Sequence, residues 1–277
     1  MSYTSKSTVE DIRVETSVFE TMSKEEICSR IRDLGVVPAL RANSVEDALF
    51  VADALVEAGV PILELAMNTP GAVQILSQVA KHAPKMIVGG GSITTVATAQ
   101  RCVDAGARFL TSDGLVLGVV DFAVQRDVVV FPGAFTPTEI IAAQNAGSDF
   151  VKVVPCDAGG GHSYIRSLKN AMPDVALIAA GGVTQQSALS IVSAGATALG
   201  VGGELLPADA IRLRQANRIR ELARRFVNFV DDGRIQAPAR ATHFDRTRSR
   251  RGDQRPIRQT PRQAEFVPKP FVPETSV

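Results

Sequence analysis

The 277-residue sequence has no tryptophan, only three cysteines and no long apolar run. Cys28, Cys102 and Cys156 are odd in number and widely spaced, which matches neither a disulfide framework nor a zinc site. We therefore predict reduced thiols and no bound metal. A membrane-spanning helix needs about 18 consecutive apolar residues, and a secretory signal needs an apolar core near the N-terminus. Both are absent, so we expect no membrane association and a cytoplasmic location.

Charge is distributed unevenly along the chain, although the formal net charge is only +1. Residues 234–277 contain ten Arg and Lys against four Asp and Glu, and six of the fifteen prolines. Because this segment has no apolar periodicity, we predict a disordered basic tail, whose partner the sequence does not identify. Residues 1–22 form a predicted polar extension. Ser23 and Glu26 have the spacing of a capping box, so the predicted folded domain spans residues 23–233.

Eight short apolar runs alternate with amphipathic segments in this domain, and their starts lie 19 to 26 residues apart. The runs are 36–41, 62–67, 86–91, 109–113, 128–134, 150–155, 176–182 and 198–203. Eight strand–helix units of this size predict an α/β fold, a (β/α)8 TIM barrel, since right-handed crossovers with short loops close at eight strands. The alternative is a doubly wound open sheet, which the lack of a GxGxxG turn after the first strand disfavours.

Two charged residues stand inside these apolar runs, Lys152 in FVKVVP and Glu64 in ILELAM. Burial disfavours the charged ammonium of a lysine, and the free amine is the nucleophile that a Schiff base requires. A carboxylate facing the same cavity can transfer protons at the carbon beside the imine. The structural alternatives are a lysine that reaches solvent at the end of its strand, or a buried ion pair between Lys152 and Glu64.

Glycine clusters follow four of the predicted strands, with Gly181 and Gly182 after the seventh strand and Gly203 after the eighth. Bare backbone amides next to helix N-termini bind anionic oxygens, and the loops after strands seven and eight are the usual phosphate site of barrels. Arg41 ends the first predicted strand and is a further candidate ligand of an anion. All of these residues would lie at the C-terminal face of the barrel.

Seven segments together resemble a known family: VVPALRANS, ILELAMNTP, IVGGGSI, FPGAFTPTE, FVKVVPCDAGGG, IAAGGV and LGVGGELLPADA. They resemble the 2-keto-3-deoxy-6-phosphogluconate aldolases, also called 4-hydroxy-2-oxoglutarate aldolases, with the related phosphogalactonate aldolases. The resemblance covers roughly residues 24–230. It implies a homotrimer of (β/α)8 barrels that uses no metal or other cofactor. It also implies that Lys152 is the Schiff-base lysine and Glu64 the general acid/base.

The same resemblance assigns the substrate-binding residues and shows where this sequence differs. It implies that Arg41, Asn68 and Ser92 contact substrate oxygens, and that Gly181, Gly182 and Gly203 form the phosphate end of the pocket. Six residues differ from the family pattern: Asn68 replaces an arginine, Ser92 and Ala180 replace threonines, Asp113 replaces a proline, and Gly203 with Glu204 replaces a serine-containing turn. A carboxylate beside that turn repels a phosphate if it points inward.

These observations favour a class I aldolase that cleaves a 2-keto-3-deoxy (phospho)sugar acid or 4-hydroxy-2-oxoglutarate. The products would be pyruvate and an aldehyde, and the sequence leaves open whether the substrate carries a phosphate. Two alternatives remain open at this point. One is a phosphate-binding barrel isomerase or synthase that forms no imine. The other is a non-catalytic barrel trimer that acts as a scaffold or binds a partner through its basic tail.

Overall fold

The computed structural model describes residues 22–237. All eight predicted strands are present, and the fifth is divided at Pro132 into two short pieces. The strands are β1 Val36–Leu40, β2 Ile62–Ala66, β3 Ile87–Gly91, β4 Phe109–Thr111, β5 Val129–Phe131, β6 Gly133–Ala134, β7 Val151–Val153, β8 Leu177–Ala180 and β9 Ala198–Val201. The predicted extension up to residue 21 and the predicted tail beyond residue 237 lie outside the described residues.

The strands form one parallel sheet in the order β5-β4-β3-β2-β1-β9-β8-β7-β6. The two end strands of this order are the two pieces of the divided strand. On one side Thr111 of β4 pairs with Phe131 of β5, and on the other Gly133 of β6 pairs with Lys152 of β7. Because only Pro132 separates β5 from β6, the two ends of the strand order meet and the sheet closes into a barrel. The predicted (β/α)8 TIM barrel is confirmed, and the alternative of a doubly wound open sheet is wrong.

Ten α-helices surround the barrel within the described residues, together with a 3-10 helix at Asp157–Gly159. They are α1 Lys24–Leu34, α2 Val45–Ala58, α3 Ala72–His82, α4 Val96–Asp104, α5 Leu117–Gln125, α6 Pro137–Asn145, α7 His162–Ala171, α8 Gln185–Ser193, α9 Ala208–Arg212 and α10 Ala216–Gln236. The predicted capping box at the start of α1 is confirmed. The Ser23 hydroxyl accepts from the Glu26 N–H, and the Glu26 carboxylate accepts from the Ser23 N–H.

The last helix extends beyond the predicted end of the domain. The predicted boundary lies at residue 233, whereas α10 continues for three more residues to Gln236. Two contacts hold this final turn against the barrel. A Cβ at Gly233 would lie 2.8 Å from the Cβ of Val192, so α10 packs closely on α8 here. The Arg234 guanidinium donates to the Asp33 carbonyl at 2.7 Å. The first residues of the predicted tail are therefore part of the helix.

Residues along each strand alternate between the barrel interior and the surrounding helices. One interior layer is apolar and forms a cluster that includes Val37, Ile62, Ile87, Phe109, Val129, Phe131, Phe150, Ile178 and Ala198. Helix α1 covers this layer with Ile27, Cys28 and Ile31, which belong to the same cluster. The α1 residue Lys24 also pairs with Asp149 at 3.1 Å. The N-terminal end of the barrel is thus filled and closed.

Candidate active site

Lys152 lies two residues after Phe150 and therefore one pleat above the apolar layer. It is only 4% exposed. Its Nζ donates to Thr111 Oγ1 at 3.2 Å and to Asp113 Oδ1 at 3.0 Å, and lies 3.8 Å from Glu64 Oε1. A buried ammonium requires partners of this kind, because removing it from water without them is costly. Of the structural alternatives for this lysine, the solvent-reaching position does not fit, and the ion pair with Glu64 is present.

Glu64 occupies the matching position on β2, two residues after Ile62, and is 7% exposed. The neighbouring strand makes room for its side chain. A Cβ placed on Gly91 of β3 would lie 2.1 Å from Glu64 Oε1, which is far inside contact distance. The glycine at the end of β3 therefore lets the carboxylate lie flat against the sheet and point toward Lys152. Gly91, the last glycine of IVGGG, thus leaves the space that the Glu64 carboxylate occupies.

Asp113 is a functional candidate that the sequence analysis names only as a departure from the family pattern. Its Oδ1 is the carboxylate oxygen closest to Lys152 Nζ, and its Oδ2 accepts from the Ser92 hydroxyl at 2.7 Å. Burial is the largest single influence on its pKa and acts to raise it. The attraction of Lys152 and Arg41 and the hydrogen bonds from Ser92 and Lys152 together outweigh burial, so the pKa of Asp113 is lowered. The carboxyl group therefore stays ionised at neutral pH.

A signal for Asp113 is present in the sequence. The fourth apolar run ends in Thr111-Ser112-Asp113, and polar residues at the C-terminal ends of barrel strands face the site of chemistry. Ser92 is predicted as a substrate-binding residue, but its hydroxyl is bound to Asp113 in the structure. This hydrogen bond orients the Asp113 carboxylate that faces the lysine. The backbone of Ser92 has a positive φ of 54°.

A cavity of about 400 Å³ opens above Lys152 at the C-terminal face of the barrel. Seven of the eight predicted site residues line it: Arg41, Glu64, Ser92, Lys152, Gly181, Gly182 and Gly203. The eighth, Asn68, is exposed in the turn after β2 and is not among the lining residues. Three further polar residues that were not predicted also line the cavity, namely Asp113, Thr184 and Glu204.

The outer end of the cavity is formed by the turns after β8 and β9. Gly181 and Gly182 have φ values of 78° and 83°, so glycine suits both positions, and α8 begins just beyond them. The backbone N–H of Gln185, the first residue of α8, donates to Glu204 Oε2 at 3.3 Å. A Cβ on Gly182 would lie 2.3 Å from the Cβ of Asp157, so a second carboxylate side chain packs beside this turn.

Residues 22–237 offer neither a metal-binding cluster nor a membrane span. In that part of the chain, no three His, Cys, Asp or Glu side chains come together in a way that could hold a metal ion. None of its helices is long and apolar enough to cross a membrane.

The three cysteines form no disulfide, as predicted, and all three are buried. Burial is the main cause that raises the pKa of each thiol to about 11. Such thiols are poor nucleophiles at neutral pH.

The arrangement around Lys152 has the parts that imine chemistry needs. A primary amine lies at the bottom of a cavity, a buried carboxylate from Glu64 lies 3.8 Å from it, and the more exposed, ionised carboxylate of Asp113 lies 3.0 Å from it. An amine attacks a ketone only after it has lost a proton, and a nearby carboxylate can accept that proton. The geometry therefore suits covalent attack on a keto acid that enters through the open face.

The sequence of the barrel is similar to those of known enzymes. The family model described as KDPG and KHG aldolase matches residues 27–222. The KHG/KDPG aldolase of Escherichia coli K12 is 30% identical over 193 residues, which cover 69% of this chain and 90% of that protein. The match therefore spans the barrel rather than a single motif.

Solved structures of aldolases are also similar to this chain. The KDPG aldolase of Legionella pneumophila, with pyruvate captured as a covalent carbinolamine intermediate, superimposes with a TM-score of 0.67. The two sequences are 25% identical, and the alignment covers 71% of this chain and 96% of that chain. A 3-hexulose-6-phosphate synthase from Salmonella typhimurium also superimposes, with a TM-score of 0.54 at 17% identity over 68% of this chain and 98% of that chain. That second likeness shows the barrel fold alone.

Proposed function

This chain belongs to the KDPG and KHG aldolase family, a family of carbon–carbon lyases, and on that premise we propose how its own residues carry out the cleavage. It is a class I aldolase that splits a 2-keto-3-deoxy sugar acid or 4-hydroxy-2-oxoglutarate into pyruvate and an aldehyde. The single observation that carries the residue assignment is the position of Lys152 Nζ. It lies at the bottom of the cavity, 3.0 Å from Asp113 Oδ1 and 3.8 Å from Glu64 Oε1.

In the free enzyme Asp113 and Thr111 hold the ammonium of Lys152 in place. When substrate binds, the ammonium gives up a proton, and the resulting amine attacks the C2 ketone carbon. Asp113 is the nearest carboxylate and is open to solvent on its other side, since its side chain is 56% exposed. It can therefore accept the proton and release it to water. The neutral carbinolamine that forms takes up a proton and loses water, which gives the iminium.

Glu64 handles the proton that moves during bond cleavage. As the C3–C4 bond breaks, the proton of the C4 hydroxyl passes to Glu64, and the bonding electron pair moves into the iminium to give an enamine. The aldehyde leaves, and C3 takes the proton back from Glu64. Water then hydrolyses the iminium, which releases pyruvate and restores the lysine. Glu64 is suited to this exchange because its buried side chain points toward the same nitrogen.

The remaining site assignments follow the charge of the cavity. Arg41 lines the open side of the cavity and acts electrostatically on Asp113, so it can hold the carboxylate of the keto acid near the lysine. Ser92 supports Asp113 through its hydroxyl. Asn68, which lies outside the cavity lining, stays a prediction as a substrate ligand.

The assembly that we propose is a homotrimer in the cytoplasm. Several large apolar side chains are exposed on or beside three consecutive helices, α4, α5 and α6. They are Val96 at 44%, Leu117 at 52%, Val124 at 42%, Phe135 at 38% and Ile141 at 49%. Exposed apolar residues gathered on one side of a protein favour a subunit contact. Light scattering on the purified protein tests the trimer, and a monomer at micromolar concentration would contradict it.

Reductive trapping tests the function directly. We expect incubation with pyruvate and sodium borohydride to add a reduced pyruvyl group to Lys152, detectable in the intact mass and on the peptide that contains this residue. Lys152→Ala should gain no such mass. A second control is Lys24→Ala, which removes the ion-paired lysine at the opposite end of the barrel and should leave the adduct unchanged. Folded protein without an adduct would overturn the assignment and favour the isomerase, synthase or scaffold alternatives.

A further inference from the structure

We infer that the aldehyde half of the natural substrate is an uncharged polyhydroxy chain, and that Glu204 excludes a phosphate at the distal end of the cavity. This inference rests on the proposed function and specifies the substrate class of the same site. Barrels bind phosphate with the loops after strands seven and eight and with a helix N-terminus close by. In this chain those elements are the turns after β8 and β9 and the start of α8.

Glu204 occupies the place where an anion would bind. Its carboxylate oxygen already accepts the N–H of Gln185, the first residue of α8, and its side chain lines the cavity. A helix N-terminus attracts one negative group because its first N–H groups have no partner within the helix. Here that negative group belongs to the protein itself. A phosphate that entered would have to displace the carboxylate or lie beside it.

The charges around this end of the cavity add to the exclusion. Asp157 packs against Gly182, so two carboxylate side chains lie beside the two turns. Among the described residues that line the cavity, only Arg41 and Lys152 are cationic. Lys152 lies at the bottom of the cavity, and both cations act on the carboxylate of Asp113. No cationic side chain among the described lining residues is therefore left over to neutralise a phosphate at the outer end.

Arginine side chains outside the lining are also engaged with other groups. Arg225 donates to Gln185 Oε1 at 2.8 Å and pairs with Glu221 at 2.6 Å. Arg218 pairs with Asp209 at 2.7 Å. Both arginines border a neighbouring cavity that Gly203 and Glu204 also line, but their charges are paired with Asp209 and Glu221. Glu204 is therefore the charged residue that these turns contribute to the lining of the cavity above Lys152. Carboxylates accept hydrogen bonds from hydroxyl groups, so a polyhydroxy chain fits this end where a phosphate or a second carboxylate does not.

Aldol addition provides the test, because the same pyruvate imine can be offered different aldehydes. We expect kcat/KM for D-glyceraldehyde to exceed that for D-glyceraldehyde 3-phosphate by at least about tenfold, since the added phosphate meets the Glu204 charge at a partly exposed site. Glu204→Gln removes the charge but keeps a group of similar size, and Glu204→Ser also frees the Gln185 N–H. The ratio of kcat/KM values for the two aldehydes should therefore shift toward the phosphorylated aldehyde in Glu204→Gln and further in Glu204→Ser.

Two controls separate this inference from the proposed function. Glu25→Gln removes an exposed carboxylate from α1, at the closed end of the barrel, and should leave the ratio of the two kcat/KM values unchanged. The borohydride adduct with pyruvate should form equally in wild type and in both Glu204 variants, since Lys152 lies at the other end of the cavity. Loss of the adduct in wild type would overturn the proposed function. A normal adduct with a wild-type preference for the phosphorylated aldehyde would overturn only the role of Glu204.

Discussion

The two ends of the barrel interior are built from the same strands but have opposite chemistry. At the closed end Phe109 stacks on Phe131 at 5.1 Å between ring centroids, and Phe131 meets Phe150 edge-on at 5.9 Å. One pleat above Phe109 and Phe150 stand Thr111 and Lys152. A step of two residues therefore separates a dry aromatic core from a charged site. The closed end stabilises the fold, and the rigid strands that it holds together fix the distances at the open end.

Replacing the lysine tests whether the open end is devoted to chemistry. We expect Lys152→Ala to lower kcat by at least about 10⁴-fold, or ~5.5 kcal/mol of transition-state stabilisation, because no other amine lines the cavity in the described chain. The loss of folding stability should be smaller, since water can replace the lysine beside the half-exposed Asp113. Steady-state rates and chemical denaturation measure the two effects. Retained turnover would contradict the division between the two ends.

Truncating an aromatic residue at the closed end should have the opposite result. Phe131 is fully buried between two other rings, so Phe131→Ala should lower the free energy of unfolding by about 3–5 kcal/mol. Phe131→Leu should cost less, because more of the space stays filled. The fraction of folded molecules trapped by pyruvate and borohydride should stay as in wild type. A variant that is stable but fails to form the adduct would show that the two ends are not separable.

Adding one methyl group at Gly91 tests how closely the sheet positions the buried carboxylate. The new Cβ would lie 2.1 Å from Glu64 Oε1, so the side chain must turn away. We expect Gly91→Ala to lower kcat by about 100-fold, because a misplaced proton-transfer group costs rate of that order, while the pyruvate adduct still forms. Gly114→Ala is the matched control, since nothing lies within 4 Å of its added methyl group. An equal loss in both variants would contradict the steric argument.

The smallest expected effect is a pH dependence of stability that comes from Asp113. Although burial alone would raise its pKa, Lys152, Ser92 and Arg41 together lower the pKa from its ordinary value of 3.8. A lowered folded-state pKa means that the stabilising contribution is present above about pH 4 and is lost as pH falls through the folded pKa. Wild type should be more stable than Asp113→Asn by about 0.5–1 kcal/mol at neutral pH, a small value because the carboxyl is half exposed.

Denaturation of both proteins between neutral pH and about pH 3 measures this difference. The gap between the unfolding free energies of wild type and Asp113→Asn should stay constant down to about pH 4 and narrow below it. A gap that stays constant over this range would mean that the Asp113 carboxylate contributes nothing through its ion pair. It would then be a surface group that happens to lie near the lysine.

Most of the barrel could be predicted because its signals are local. Each strand is a short apolar run, and an Ala-Gly pair in the sequence can mark the end of a helix, as at Ala58 and Gly59, where α2 ends and Gly59 has a φ of 82°. The domain boundary is predicted at Gly233, whereas α10 continues through this glycine to Gln236. In the structure Gly233 permits close packing against α8, and that long-range contact outweighs the local preference.

Candidate site residues could be predicted where a charged side chain interrupts an apolar strand. They could not be predicted in turns, where the fold decides which side chains reach the cavity. Lys152 and Glu64 stand out in the sequence because charge inside an apolar strand is rare, and both line the cavity in the structure. Asp113 and Glu204 stand at strand ends and in turns, where charged residues are ordinary, and only the fold shows that they line the cavity. Asn68 shows the opposite case, since its place in a family motif did not bring it to the cavity lining.

The closure of the barrel by α1 has a kinetic consequence. With Ile27, Cys28 and Ile31 filling the closed end, substrates and products share the single open face. Pyruvate must reach Lys152 at the bottom before an aldehyde can occupy the space above it. Addition should therefore follow a compulsory order, with pyruvate first and the aldehyde second, and in cleavage the aldehyde should be released before pyruvate. Product-inhibition patterns would then show pyruvate competing directly with the keto acid for the free enzyme.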